Sequence, residues 1–227
     1  MNRVIIACAN GTGRGRAAVD WATREASLRG LPLEVVYGSP PDGLSPAAVL
    51  VLGLSTAQDD TAGPAQLALV AASACPVVPV PDDHTPFAVP VRHPPHVTIG
   101  LNARHPVERA IDFAFDAARL RDVRLHAVHA WELPACAAEL PSTVPVEDRA
   151  TWEDHEVQLL ADTLRPWRLK YPRVPVLEDV LLLSPTEALA HHAEGAALVV
   201  VGRGAGMGPD AVQALLRESR CPVAVVP

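Results

Sequence analysis

The sequence predicts an α/β protein made of two doubly wound parallel-sheet domains of strand order 3-2-1-4-5, the first lacking strand 3 and its flanking helices. Three observations carry that expectation. The candidate strands are almost wholly apolar, as strands buried on both faces are. These runs alternate with longer helical stretches, the pattern of βαβ units. The chain also repeats itself. "AAVLVLG" (47–53) matches "AALVVVG" (196–202), "ACPVVPVP" (74–81) matches "RCPVAVVP" (220–227), "ASLRGLPLEVV" (26–36) matches "ARLRDVRLHAV" (118–128), and Asn10 matches Asn102. The offset is 92 positions at Asn10 and Asn102 but 149 at Ala47 and Ala196, so the second copy holds 57 residues that the first lacks. Domains are expected at 1–81 and 96–227, joined by the proline-rich linker 82–95.

In the first copy the runs predict strand 4–8, helix 14–29, strand 33–37, strand 48–52, helix 64–74 and strand 76–80. The absent third strand is an edge strand in this order, so its loss exposes strand two without splitting the core. Glu34 and Pro32 on that new edge discourage pairing with other chains. In the second copy, strand 97–101 precedes a helix over 106–119, with Pro106 in its first turn. Strand 124–130, helix 147–165 and strand 176–183 follow. "SPTE" opens the next helix as a capping box: Ser184 caps, Pro185 takes the first position and Glu187 bonds back. Strand 197–201, helix 210–219 and strand 222–226 complete the copy.

Composition narrows the function classes. The chain has 227 residues, is 49% hydrophobic and carries a net charge of -7, which supports a packed core and gives no basic footprint for nucleic acid. Lys170 is the single lysine, an arginine bias that reads as GC-rich codon usage. No apolar run approaches the ~18 residues of a membrane span, and the N-terminal run is too short for a signal peptide. A cytoplasmic protein bound to no membrane is expected. Cys8, Cys75, Cys136 and Cys221 form no CxxC pair and are expected as reduced, unpaired thiols.

No metal site is expected from the nine histidines. His126 and His129 face opposite sides of a strand, and His191 and His192 diverge by ~100° on a helix. His93 and His96 flank two prolines. Ser142, Ser184 and Ser219 have no visible base partner, and no P-loop motif occurs. Trp131, Trp152 and Trp167 are expected to pack the long helix onto the sheet.

The strand–Asn10–helix and strand–Asn102–helix openings, "DWATREASLRGLPLEVV" (20–36), "LVVVGRG" (198–204) and the "CPV" endings at 75–77 and 221–223 resemble the universal stress protein family in tandem arrangement. The resemblance implies the adenine-nucleotide alpha-hydrolase-like fold, no enzymatic activity and, in some members, bound ATP or AMP. It also implies pairing of the last strands, 76–80 and 222–226, across a pseudo-twofold axis as in family dimers. Pro79 weakens that pairing by removing a ladder donor.

Nucleotide-binding members carry G-x2-G-x9-G-(S/T) after strand four. Gly202 matches the first glycine, but the following loop is about six residues too short. Asp210 falls where the hydroxyl residue belongs, and Pro209, or Gly208 with a slip of one, where the glycine belongs. In the first copy Gly53 and Gly63 match, Thr56 and Pro64 do not, and the loop carries Asp59 and Asp60. The family's strand-one aspartate is Asn10 or Asn102 here. A helix N-terminus favours an anion by about 0.3–1 kcal/mol. A carboxylate some 5 Å away costs roughly 3 kcal/mol at an effective dielectric near 20. Asp210 therefore cancels the help of the helix unless Mg²⁺ bridges the charges.

The ligand crevice of a doubly wound sheet lies between strands one and four. In the second copy that juxtaposes Asn102 with Gly202 and puts His129 or Ala130 alongside; in the first it juxtaposes Asn10 with Gly53. The main expectation is a non-enzymatic stress-response scaffold that binds an unknown protein partner, needs no cofactor and forms an intramolecular pseudo-dimer or a homodimer. The alternative is a sensor of ATP or AMP with Mg²⁺, using Asn102, Gly202, Arg203, Gly204 and Gly206. A hydrolase is disfavoured, since neither an activated nucleophile nor paired catalytic carboxylates are visible.

Overall fold

The computed structural model describes residues 3–9, 15–38, 47–54, 64–84, 94–133, 146–204 and 209–227. Asn10, Thr56, Asp59, Asp60, Gly63, His93, Cys136, Ser142, Gly206 and Gly208 lie outside the described residues. The first half contributes β1 (Val4–Ala9), α1 (Arg16–Arg29), β2 (Leu33–Tyr37), β3 (Ala47–Leu54), α2 (Pro64–Ala72) and β4 (Val77–Pro81). The second contributes β5 (His96–Gly100), α3 (Glu108–Arg121), β6 (Arg124–Ala130), α4 (Val146–Lys170) and β7 (Val176–Leu181). After these come α5 (Pro185–Ala193), β8 (Ala196–Gly202), α6 (Pro209–Glu218) and β9 (Val223–Val226).

Local chemistry explains the element ends. The Ser184 hydroxyl accepts from the Glu187 N–H, and the Glu187 carboxylate accepts from the Ser184 N–H, so the capping box is formed. α1 and α3 end at Gly30 and Asp122, both left-handed, with φ of 62° and 52°. Each cap N–H satisfies carbonyls of the last helical turn. α4 runs past Pro166 to Lys170, beyond the end expected at 165. A proline removes one helical hydrogen bond, and burial of Leu160, Leu164 and Trp167 against the sheet outweighs that loss.

The fold class needs correction. The strands form one continuous mixed sheet of nine, in the order β2-β1-β3-β4-β9-β8-β5-β6-β7, not two separate sheets of order 3-2-1-4-5. The cause is at the seam, where β4 and β9 pair antiparallel, with Val77 opposite Val225. Unpaired strand edges expose a row of donors and acceptors, and joining two of them satisfies both. The ladder is short, because Pro79 and Pro81 have no N–H to extend it. The two cores follow the sheet across the seam. On one face α1, α3 and α4 cover a cluster that includes Ile5, Trp21, Val78, Phe115, Leu164 and Val226. On the other, α2, α5 and α6 cover Leu50, Val70, Leu189, Val199 and Leu215. Each cluster draws on both halves of the chain.

Two repeat-related pairs hold α1 against α3. Arg29 lies over the ring of Phe113, 4.9 Å from its centroid, and Arg121 over the ring of Trp21 at 5.9 Å. Positions 21 and 113, like 29 and 121, differ by the repeat offset of 92. The same arginines cross the interface as ions. Arg29 Nη1 lies 2.7 Å from Asp116, and Arg121 pairs with Glu25, a fully buried carboxylate that Arg29 Nε also reaches at 2.6 Å. The ring contacts are repeat-equivalent but the ion pairs are not, since Asp116 corresponds to Arg24 and Glu25 to Ala117.

The thiols are structural. Cys8, Cys75 and Cys221 are free and buried. Ser73 Oγ and Ser219 Oγ sit 3.2 Å from Cys75 Sγ and Cys221 Sγ in matching turns. Burial pushes the Cys221 thiol up to about 11, so it stays protonated at neutral pH.

Breaking a buried ion pair on one side leaves an uncompensated charge, at a cost of about 3–5 kcal/mol. Because Arg29 still reaches Glu25, Arg121→Met is expected to lower unfolding stability by about 2–3 kcal/mol. Adding Glu25→Leu should restore most of that loss. Urea unfolding of the single and double variants measures both steps.

Candidate functional site

β5 and β8 are neighbours, with Gly100 opposite Val201 near their C-terminal ends. From β5 the chain leaves towards α3 on one face of the sheet; from β8 it leaves towards α6 on the other. Such divergence opens a crevice above the strand ends. Gly100, Asn102, Val107, Ala130, Leu189 and Gly202 are among the residues lining it, with Val128 and Pro185 extending an apolar wall. No charged side chain among the described residues lines it.

Both glycines are required by close packing. A Cβ on Gly202 would stand 2.6 Å from Val107 Cβ, and one on Gly100 would stand 2.7 Å from Leu189 Cδ1. Val107 from the β5–α3 loop and Leu189 from α5 thus occupy the space that two side chains would take. The enclosed part of the crevice is small, about 50 Å³, and the rest is open.

The loop carrying Asn102 is fixed from beneath. Asn102 Oδ1 accepts from the Arg104 N–H at 3.0 Å, and its carbonyl accepts from the His105 N–H at 3.1 Å, a local Asx turn. His129, 1% exposed, places Nδ1 3.4 Å from the Ala103 nitrogen and Nε2 3.0 Å from Glu156 Oε2. With the Nε2–H donating to the carboxylate, Nδ1 accepts from the Ala103 N–H on a neutral ring, or donates to the Leu101 carbonyl 3.2 Å away on an imidazolium. Glu156, also 1% exposed, pairs in addition with Arg104 of the same loop. A buried charge of this kind persists only when paired. His129 therefore acts below the crevice, not in it, and Ala130 flanks it. Glu156 lies on α4, 27 residues from His129, and no local sequence pattern links the two.

On the far side of the Asn102 loop is a hollow of about 340 Å³, lined by Arg104, Trp131, Glu132, Trp152, His155 and Glu156. Trp131 Nε1 is buried there without a hydrogen-bond partner among the described residues.

Arg203 points away from the crevice. Its Nη1 donates to the carbonyls of Ser73, at 2.7 Å, and Val70, at 3.4 Å. These are carbonyls at the C-terminal end of α2, where a cation is favoured. Gly204 follows with φ of 93°, a conformation open to glycine but strained for other residues. The backbone of Asp210 lies in the first turn of α6. The structure thus brings Asn102 and Gly202 together at one crevice, holds Gly204 just beyond β8, and commits the Arg203 guanidinium to the other half of the chain.

A profile described as "Universal stress protein family" matches residues 95–227. The chain belongs to that family. Universal stress protein Rv2005c of Mycobacterium tuberculosis is 33% identical over 217 residues, covering 90% of this chain and 70% of that protein. Universal stress protein Rv2623 from the same organism is 35% identical over 133 residues, 58% of this chain and 42% of the relative. The crystal structure of a universal stress protein from Archaeoglobus fulgidus shares the fold, with a TM-score of 0.59 at 14% identity over 98% of this chain and 97% of that one. A further structure, of the universal stress protein from Archaeoglobus fulgidus in complex with dAMP, aligns with 60% of this chain and 99% of its own at a TM-score of 0.37 and 18% identity.

Forcing a methyl group into the contact between this stress protein's Gly202 and Val107 overpacks it, which typically costs about 1–3 kcal/mol. Gly202→Ala is expected to lose that much stability, and Val107→Ala in the same chain to recover at least half. A double-mutant cycle by chemical denaturation reads the coupling.

Proposed function

We propose that this universal stress protein is a non-enzymatic adenine-nucleotide binder, with its ligand in the crevice above β5 and β8. The observation that supports this best is the crevice itself: an apolar slot at the point where the connections diverge, with Asn102 at its mouth and the glycine backbone from Gly202 to Gly204 beside it. A slot with apolar walls and a few polar groups suits a purine ring. The base would lie against Val128, Ala130, Pro185 and Leu189, and backbone N–H groups after Gly202 and at the start of α6 would meet the phosphate. Mg²⁺ would accompany ATP and offset Asp210.

Charge sets the expected preference. Arg203 is held on α2 and no charged described residue lines the slot. Extra phosphates therefore gain little, and AMP and adenosine are expected to bind within about tenfold of each other, a difference of ~1.4 kcal/mol or less. Residues 1–81 and 96–227 are read as two copies joined by 82–95, closed into an intramolecular pseudo-dimer by β4, β9 and the α1–α3 contact. The scaffold reading finds support in the β7 edge, where Leu177, Leu182 and Leu183 are exposed.

Equilibrium dialysis of the full chain against AMP, ATP and adenosine, with and without Mg²⁺, decides between the two readings. Saturable micromolar binding of AMP, weakened at least tenfold by Gly204→Val and by Ala130→Phe, is the expected result. No binding up to millimolar concentration overturns the nucleotide reading and leaves the scaffold.

A further inference from the structure

At the opposite end of β5 and β6 from the crevice, the fold gathers side chains that lie far apart in the sequence. His126 of β6, Asp179 of β7 and His192 of α5 place one donor atom each within 4.8 Å of one another. His126 Nε2 is 2.5 Å from Asp179 Oδ2, and His192 Nε2 is 3.9 Å from that same oxygen. The His126 and His192 rings meet edge to face, with centroids 4.5 Å apart. We propose that these three residues form a binding site for a divalent transition-metal ion, of which Zn²⁺ is the fitting example.

The donor set selects the class. Two imidazole nitrogens and one carboxylate oxygen suit zinc and its neighbours, whereas Mg²⁺ and Ca²⁺ take oxygen ligands. Bonds of about 2.0–2.1 Å in tetrahedral array separate neighbouring donors by roughly 3.3 Å. The observed 2.5 and 3.9 Å fall on either side of that spacing, so small side-chain rotations bring the oxygen and both nitrogens to a common ion.

The site is also braced. The His192 carbonyl accepts from Thr98 Oγ1 at 2.9 Å, and the His96 ring nitrogen Nδ1 lies 3.3 Å from the Pro94 carbonyl. Thr98 stands opposite His126 in the β5–β6 ladder, so the end of α5 is tied to the strand pair that carries the ligand. His192 lies in the last turn of α5, where the helix dipole favours a cation. The His126 side chain is 10% exposed, against 34% for Asp179 and 23% for His192. The cluster therefore opens to solvent on the Asp179 side, which gives an ion its path in and leaves the fourth coordination position to water. A bound ion would fasten the edge strand β7 to α5 and β6. The site lies about 13 Å along β6 from the crevice, at ~3.3 Å per residue, and does not rest on the nucleotide reading.

The full chain, stripped with a chelator and dialysed, is titrated with zinc chloride by calorimetry and with Co²⁺ by visible absorption. One Zn²⁺ per chain with micromolar or tighter affinity, and the visible bands of tetrahedral Co²⁺, are expected. Asp179→Asn, which keeps the shape of the side chain, and His192→Ala should each weaken Zn²⁺ at least tenfold and abolish the Co²⁺ bands, with far-UV circular dichroism unchanged. His191→Ala, the adjacent exposed histidine, should leave both signals intact. Absence of binding overturns the proposal. So does affinity that Asp179→Asn leaves unchanged, or that His191→Ala lowers as much as His192→Ala does.

Discussion

Antiparallel pairing of β4 with β9 is the constraint on which the rest of the architecture depends. The first half, of four strands and two described helices, shares both core clusters with the second. Its last strand, left alone, would present a free row of backbone donors and acceptors. Docking that strand onto β9 pairs it and sets the position of everything nearby. α1 is brought beside α3, where equivalent arginines cross to the other helix's aromatic ring and carboxylate. α2 is brought beside the end of β8, within reach of Arg203.

Much of this was legible in the residues, and the remainder fails to be legible for one reason. Features decided within a few residues can be read directly. Apolar runs became β1, β3 and β8, the nearly apolar 97–101 became β5, and Ser184 with Glu187 became a cap. The alternation that puts His126 and His129 on opposite faces of β6 also holds, with His126 beside His192 and His129 beside Glu156. Features that need two distant elements to meet cannot be read in this way. Nothing in "RATWEDHEVQLL" says that Glu156 will lie under the Asn102 loop, and nothing in "VLEDVLLL" says that Asp179 will meet two imidazoles. The merging of two expected sheets into one is different: the residues of 76–80 and 222–226 do not show locally that they will meet, but the family resemblance implies that pairing, and β4 and β9 do pair.

The crevice shows how a glycine can outlast the role its motif suggests. Gly202 and Gly100 stand where a ligand-binding loop would need bare backbone, yet side chains of this chain already press on both. Their immediate role is to let α3 and α5 approach the strand ends, and any ligand must share the space with Val107 and Leu189.

The seat of Arg203 carries a consequence for the halves as a pair. Its side chain leaves the root of the glycine loop and ends on carbonyls contributed by the first copy. While α2 stays docked, the guanidinium is locked onto it and the mouth of the crevice is without that positive charge. A second copy severed from its partner would have the same sequence at the loop but a different electrostatic character, with an unclaimed cation next to Gly204. Carbonyls of the first half thus hold this charge away from a crevice that none of its described residues lines.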